Sequence, residues 1–302
     1  MDLLIDGVRY EFGIEVSATR VEREWIFAWP NGKKQQWLSR ERQQFDFGEK
    51  LAGHNRAMSE LTRDNALFLS VAAQHNHDQL KPLFSFFAEH LSTLFPGSGG
   101  PNSNRWWRRF LDNKHSAPER ARVLALLRAA DLGISDFRVR ELDRASEQQL
   151  YFASSAGDNG DLRIPEKRLV LELAHGKTWF DTSSESTGTI QLLTLLPYLI
   201  SALANGGVVC IDELNALHPM ITVELVRLFQ DFARNPNHAQ LLFNTHDATL
   251  LGTTRGDEVM LSRDQVWFTE KTASGATTLI SLHDYQPREN ENLERGYLQG
   301  RY

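Results

Sequence analysis

The 302-residue chain is 41% hydrophobic and 24% charged, an ordinary globular composition with room for about two domains. A net charge of −6 gives no bulk reason to bind nucleic acid, so such binding would need a local basic patch. The single cysteine, Cys210, excludes a disulfide framework, and no uninterrupted apolar run approaches the roughly 20 residues of a membrane span.

The opening Met1-Asp2-Leu3-Leu4-Ile5-Asp6 lacks a signal peptide's basic start and long apolar stretch, so a cytoplasmic location is expected. From about Leu3 to Arg40 the pattern alternates as in half-buried strands, with Tyr10, Phe12, Ile14 and Val16 on one face. Pro30-Asn31-Gly32 marks a turn between later runs, which predicts an antiparallel meander. From Leu51 the period becomes helical: Leu67 to Ala72 sits in one helix and Leu83 to Leu94 marks another, closed by Pro96-Gly97. Pro118-Glu119 opens a third helix that ends before Gly133.

Strand-like runs return at Gln149 to Ala153 and Arg168 to Leu173, separated by a polar loop over Ser154 to Asp161. A helix from about Gly188 to Ala204 then leads to the apolar strand Val208-Val209-Cys210-Ile211, and a helix from Met220 to Ala233 leads to Leu241-Leu242-Phe243. Short apolar strands alternating with helices predict a parallel sheet covered on both faces. The chain thus divides into a β-meander over 1–48, a helical lobe over 49–138 and an α/β half over 139–302.

Val208 to Ile211 runs directly into Asp212 and Glu213. Ligands bind beyond the carboxyl ends of parallel strands. There Asp212 can hold Mg²⁺, largely through waters, and Glu213 can orient and deprotonate an attacking water. The plainer reading is a strand ending in an acidic turn. The second strand ends in Asn244-Thr245-His246-Asp247, where a histidine can reach a γ-phosphate or simply cap the next helix. Glu185-Ser186-Thr187-Gly188-Thr189 precedes the helix before the acidic strand, offering amides and a hydroxyl to an anion, or an ordinary N-cap.

The order of these elements resembles the signature, Walker B and switch-histidine motifs of ABC-type ATPases, including SMC and RecF relatives. More closely, the chain resembles bacterial AAA-family ATPases of the abortive-infection and RloA type. That resemblance rests on Glu185 to Thr189, Asp212-Glu213-Leu214, Leu217-His218-Pro219, Asn244 to Asp247, Arg263 to Phe268 and Glu291 to Tyr302, with Tyr10 to Gly13 in the meander. It implies an α/β fold: a P-loop NTPase (ABC ATPase-like) core, truncated at its N-terminus, with an antiparallel β-meander and an inserted helical lobe. It also implies ATP and Mg²⁺ as cofactors. Asp212 would be the metal carboxylate, Glu213 the catalytic base and His246 the switch histidine, with Asn244 and Thr245 facing nucleotide. Ser186 and Gly188 would contact ATP held by a second protomer, so a homodimer closed by sandwiched ATP follows. Anti-phage defence and an RloB-like nuclease partner complete what the resemblance implies.

The chain contains no Gly-x-x-x-x-Gly-Lys-Ser/Thr, the loop that wraps the β-phosphate and brings a lysine to the β/γ oxygens. A truncated or split protein would explain this, and little or no hydrolysis is expected from these residues alone. A P-loop-less remnant acting as a dimerisation or partner-binding module is the alternative. A nuclease using Asp212, Glu213 and Asp247 is a third reading, without an accompanying lysine-bearing motif. Trp106-Trp107-Arg108-Arg109-Phe110 mixes stacking and basic groups but fits a packed helix with solvated arginines. His75 and His77 point to different faces of a helix, which suggests a solvated turn.

Overall fold

The computed structural model describes residues 1–95, 106–111, 117–130, 133–142, 168–214, 217–252, 259–285 and 292–301. The expected run at Gln149 to Ala153, the loop at Ser154 to Asp161 and Asn215-Ala216 lie outside these residues. Contacts divide the chain into two units, Met1–Leu91 and Ser92–Tyr302, a boundary that falls inside the 49–138 stretch.

The first unit is a five-stranded antiparallel meander in sequence order: β1 (Asp2–Ile5), β2 (Val8–Val16), β3 (Val21–Trp29), β4 (Gln35–Glu41) and β5 (Gln44–Phe47). Ile5 pairs with Val8 across Asp6-Gly7, both at positive φ, the conformation for which an Asp-Gly hairpin turn is suited. One face carries Tyr10, Phe12, Ile26, Ala28 and Leu38 onto α1 (Asn55–Leu61), α2 (Phe68–Gln74) and α3 (Lys81–Ser85). Tyr10 and Phe12 are buried as expected, whereas Ile14 and Val16 are exposed at the strand's far end. Glu24 and Arg40, directly opposite in the β3–β4 register, form an ion pair inside this core.

On the outer face Trp25, Phe27 and Trp29 are half-buried. Arg9 lies over Trp29, Lys34 over Phe27 and Arg23 over Trp25, so each ring is covered by a cation. Gly13 makes room for this arrangement, because a Cβ there would lie 2.0 Å from the Trp25 ring. His77 also departs from expectation. It is buried, and its Nε2 meets Asn55 Oδ1 at 3.0 Å.

The expected second helix does not run to Leu94. After a π-turn over Phe86–His90 the chain becomes strand β6 (Leu91–Leu94), which lies beside β10 (Val208–Ile211), itself paired on its other side with β11 (Gln240–Phe243). Here pairing to a distant strand overrides a local leucine period.

The second unit packs α4 (Ala117–Ala129), the antiparallel β7 (Asp136–Leu142), β8 (Arg168–His175) and β9 (Thr178–Asp181), and α5 (Thr187–Asn205) around one core. Phe137, Leu173, Leu196 and Leu199 are fully covered there, as are the Trp106, Trp107 and Phe110 side chains apart from a few percent. The packed reading of that aromatic stretch therefore holds, with Arg108 and Arg109 paired to Glu141 and Glu119. α5 has the length and apolarity of a membrane span, yet 56% of it is buried, so core packing accounts for its composition. It ends at Gly206 with φ of +73°, in the usual left-handed C-terminal conformation.

The parallel pair β10 (Val208–Ile211) and β11 (Gln240–Phe243) follows, joined through α6 (Pro219–Gln230). The expectation that both faces are covered does not hold for the described residues. Val209 and Ile211 are buried, while Leu242 is 52% exposed, because β11 is the outer strand of only three. A hairpin, β12 (Trp267–Lys271) with β13 (Thr277–Ser281), packs on α7 (Leu293–Leu298) through Phe268, Leu282 and Leu293.

Candidate functional site

The register Val208↔Gln240 through Ile211↔Phe243 ends both strands at one edge. The next residues, Asp212-Glu213 and Asn244-Thr245-His246, are therefore neighbours although they lie about thirty positions apart. The Asp212 amide donates to Leu94 O at 2.8 Å, which fixes the turn from the β6 side as well. Both acids are exposed. Glu213 has φ of +63°, a left-handed conformation that costs an L-residue about 1–2 kcal/mol.

The Asn244 side chain holds that conformation. Its Oδ1 accepts from the Glu213 amide at 2.5 Å, and its Nδ2 donates to Asp212 Oδ1 at 2.5 Å. A neutral hydrogen bond contributes about 1 kcal/mol and one to a charged group about 1.5–3 kcal/mol, enough together to offset the strain. Asn244, read from sequence as a nucleotide contact, thus directs its carboxamide at the two acids.

Among the described residues no group of three or more His, Cys, Asp or Glu gathers as a metal cage. Instead, Asp247 Oδ1 caps the 3₁₀ turn Ala248–Leu251 by accepting from Thr249 N. A single exposed carboxylate with one oxygen engaged still fits Mg²⁺, which keeps most of its waters and binds through one or two carboxylates plus phosphate. Asp212 would hold that ion by its other oxygen.

His246 is exposed, and Asp247 fills the capping role that was its bland alternative. His218, from the Leu217-His218-Pro219 stretch, caps α6 by accepting from Met220 N at 3.3 Å. Burial pushes the Cys210 thiol up, so the residue beneath the acids is a neutral part of the strand rather than a thiolate.

Ser186 and Gly188 lie at the N-terminus of α5. Ser186 Oγ accepts from Thr189 N at 3.2 Å, so the N-cap reading is realised in the structure. Such a cap leaves the first-turn amides directed outward at the positive end of the helix dipole. Sequence reasoning missed what steadies this turn: His175 Nε2 meets Glu185 Oε1 at 2.8 Å, one residue before Ser186. Their ten-residue separation carries no periodic signal.

A family model described as "AAA domain, putative AbiEii toxin, Type IV TA system" matches residues 1–252. No curated protein matches. The solved structure described as "Crystal structure of the SmcHead bound to the C-winged helix domain of ScpA" aligns over 92% of this chain and 74% of that chain, at 12% identity and a TM-score of 0.39.

Proposed function

Because the chain belongs to the AAA-domain family whose model spans residues 1–252, we propose that it forms one side of an ATP site that closes between two protomers. The observation that carries this reading is the shared edge of β10 and β11, where Asp212, Glu213 and His246 emerge together. In this proposal Glu213 orients and deprotonates the attacking water, and His246 hydrogen-bonds the terminal phosphate. Asp212 holds Mg²⁺, which would neutralise phosphate charge when bound. Thr245 and Asn244 line the strand end beside the nucleotide. Ser186 and the Gly188 amide, at the N-terminus of α5, serve ATP held by the second protomer.

The phosphate-gripping Gly-x-x-x-x-Gly-Lys-Ser/Thr loop is not among these 302 residues, so turnover requires that loop from elsewhere. The same absence favours a second reading, a dimerisation or partner-binding module without turnover. Closure and hydrolysis would gate an effector in bacterial anti-phage defence, a setting in keeping with the toxin–antitoxin wording of the family description. An RloB-like nuclease is the partner class we assign, and the cytoplasm the location. The test is ATP turnover with and without the missing loop, and its dependence on Glu213.

A further inference from the structure

Asn244 does more than touch the acids. Its amide donates to Ile211 O at 3.2 Å, and its carbonyl accepts from Leu214 N at 3.0 Å. With the two side-chain bonds to Glu213 N and Asp212 Oδ1, one residue holds four consecutive residues, 211 to 214. In the other direction it continues into a second fixed segment. Thr245 Oγ1 accepts from Asp247 N at 3.1 Å, and Asp247 Oδ1 takes both the amide and the hydroxyl of Thr249, at 3.0 and 2.6 Å. His246 is carried between these two anchored points and reaches solvent.

We propose that Asn244 is a positioning residue that ties the acidic turn and the His246 segment into one unit. Its carboxamide, rather than strand β10 alone, sets where the Asp212 carboxylate meets a divalent cation and where Glu213 points. This rests on the reading of Asp212 as the metal carboxylate. The hydrogen bonds themselves stand independently of it. If Asn244 only continued the backbone ladder, its two backbone bonds would suffice and any side chain of similar size would serve. The left-handed Glu213 argues against that, because the ladder does not hold its amide and the carboxamide does.

The experiment uses the full 302-residue chain with Mn²⁺ alone as the probe. Amide exchange and Mn²⁺-induced line broadening are measured by NMR for wild type, Asn244→Leu, Asn244→Ala and Asp212→Asn. The expected result is broadening centred on Asp212 and Glu213 that is lost in Asp212→Asn. In both Asn244 variants Mn²⁺ affinity should fall by about 10-fold or more, the scale of lost outer-shell contacts. Exchange at the Glu213 amide should rise about 10-fold or more, by loss of the hydrogen bond it donates to Asn244 Oδ1, while the Val209 and Cys210 amides stay protected and show that the strand is intact. Unchanged Glu213 exchange and Mn²⁺ affinity in either Asn244 variant with a protected strand would overturn the inference. Broadening that is absent, or that survives Asp212→Asn, would instead overturn the metal reading, and the exchange at Glu213 would still judge the hold exerted by Asn244.

Discussion

Arg40→Leu probes how the meander unit is held. The Glu24 and Arg40 side chains are each 0% exposed. The carboxylate accepts from Phe68 N at 2.8 Å, Leu69 N at 3.0 Å and Arg40 Nη1 at 3.2 Å. The guanidinium also donates to Ala66 O and Arg42 O at 2.6 Å and to Arg63 O at 3.3 Å. It lies 4.8 Å from the Phe45 ring centre. One arginine thus joins two strands to the chain that enters α2, and Glu24 caps that helix from outside it. Leucine would remove all four donated bonds and leave a buried carboxylate held by two amides.

Breaking a buried pair from one side costs about 3–5 kcal/mol, a large part of the about 5–15 kcal/mol that holds a typical domain. Burial already pushes the Glu24 carboxyl up, with Arg40 among the groups that oppose it. In the variant that carboxyl can escape part of the penalty by taking a proton, so the loss should grow as pH rises. Glu24→Gln placed on Arg40→Leu removes the stranded charge and keeps an acceptor for one amide, and should recover about 1–3 kcal/mol. Urea unfolding followed by the fluorescence of Trp25, Trp29 and Trp37 measures both. A loss below about 1 kcal/mol for Arg40→Leu, or strict additivity in the cycle, would refute the reasoning.

Two further outcomes follow from the same unit. Gly13→Ala should cost about 1–3 kcal/mol, the usual range for overpacking, because its Cβ would lie 2.0 Å from Trp25; unfolding at wild-type urea would contradict the close approach. Burial lowers the His77 pKa below its ordinary 6.5, although Asp78 pulls the other way. The unfolded chain then binds the proton more readily, so this contribution to stability is complete above pH 6.5 and is lost as pH falls below it, by up to about 1.4 kcal/mol per unit. His77→Gln should flatten that dependence between pH 5 and 8, and identical slopes for variant and wild type would count against it.

Much of the α/β half is legible because its signals are local. Val208 to Ile211 is an apolar run closed by two acids, and α5 has the apolar content and the Ser186 and Gly206 ends of a core helix. What was not legible depends on distant partners. Leu91-Ser92-Thr93-Leu94 continues the leucine spacing of the preceding helix and is a strand only because β10 lies beside it. Glu24 and Arg40 are sixteen residues apart, and nothing near either one indicates burial. Nor does local pattern reveal that His77 is enclosed by Asn55. At the site, chain order placed Asp212, Glu213 and His246 at strand ends. The turn of Asn244 toward the acids required the β10–β11 register, which sequence spacing does not encode.

Steady-state ATP turnover tests the central claim most directly, measured for the 302 residues alone and for a polypeptide in which a Gly-x-x-x-x-Gly-Lys-Ser/Thr segment is joined ahead of Met1. The expected result is no turnover from the 302 residues, and turnover from the longer polypeptide that Glu213→Gln abolishes. Turnover by the 302 residues that disappears with Glu213→Gln, or turnover by the longer polypeptide that persists with it, would contradict the account.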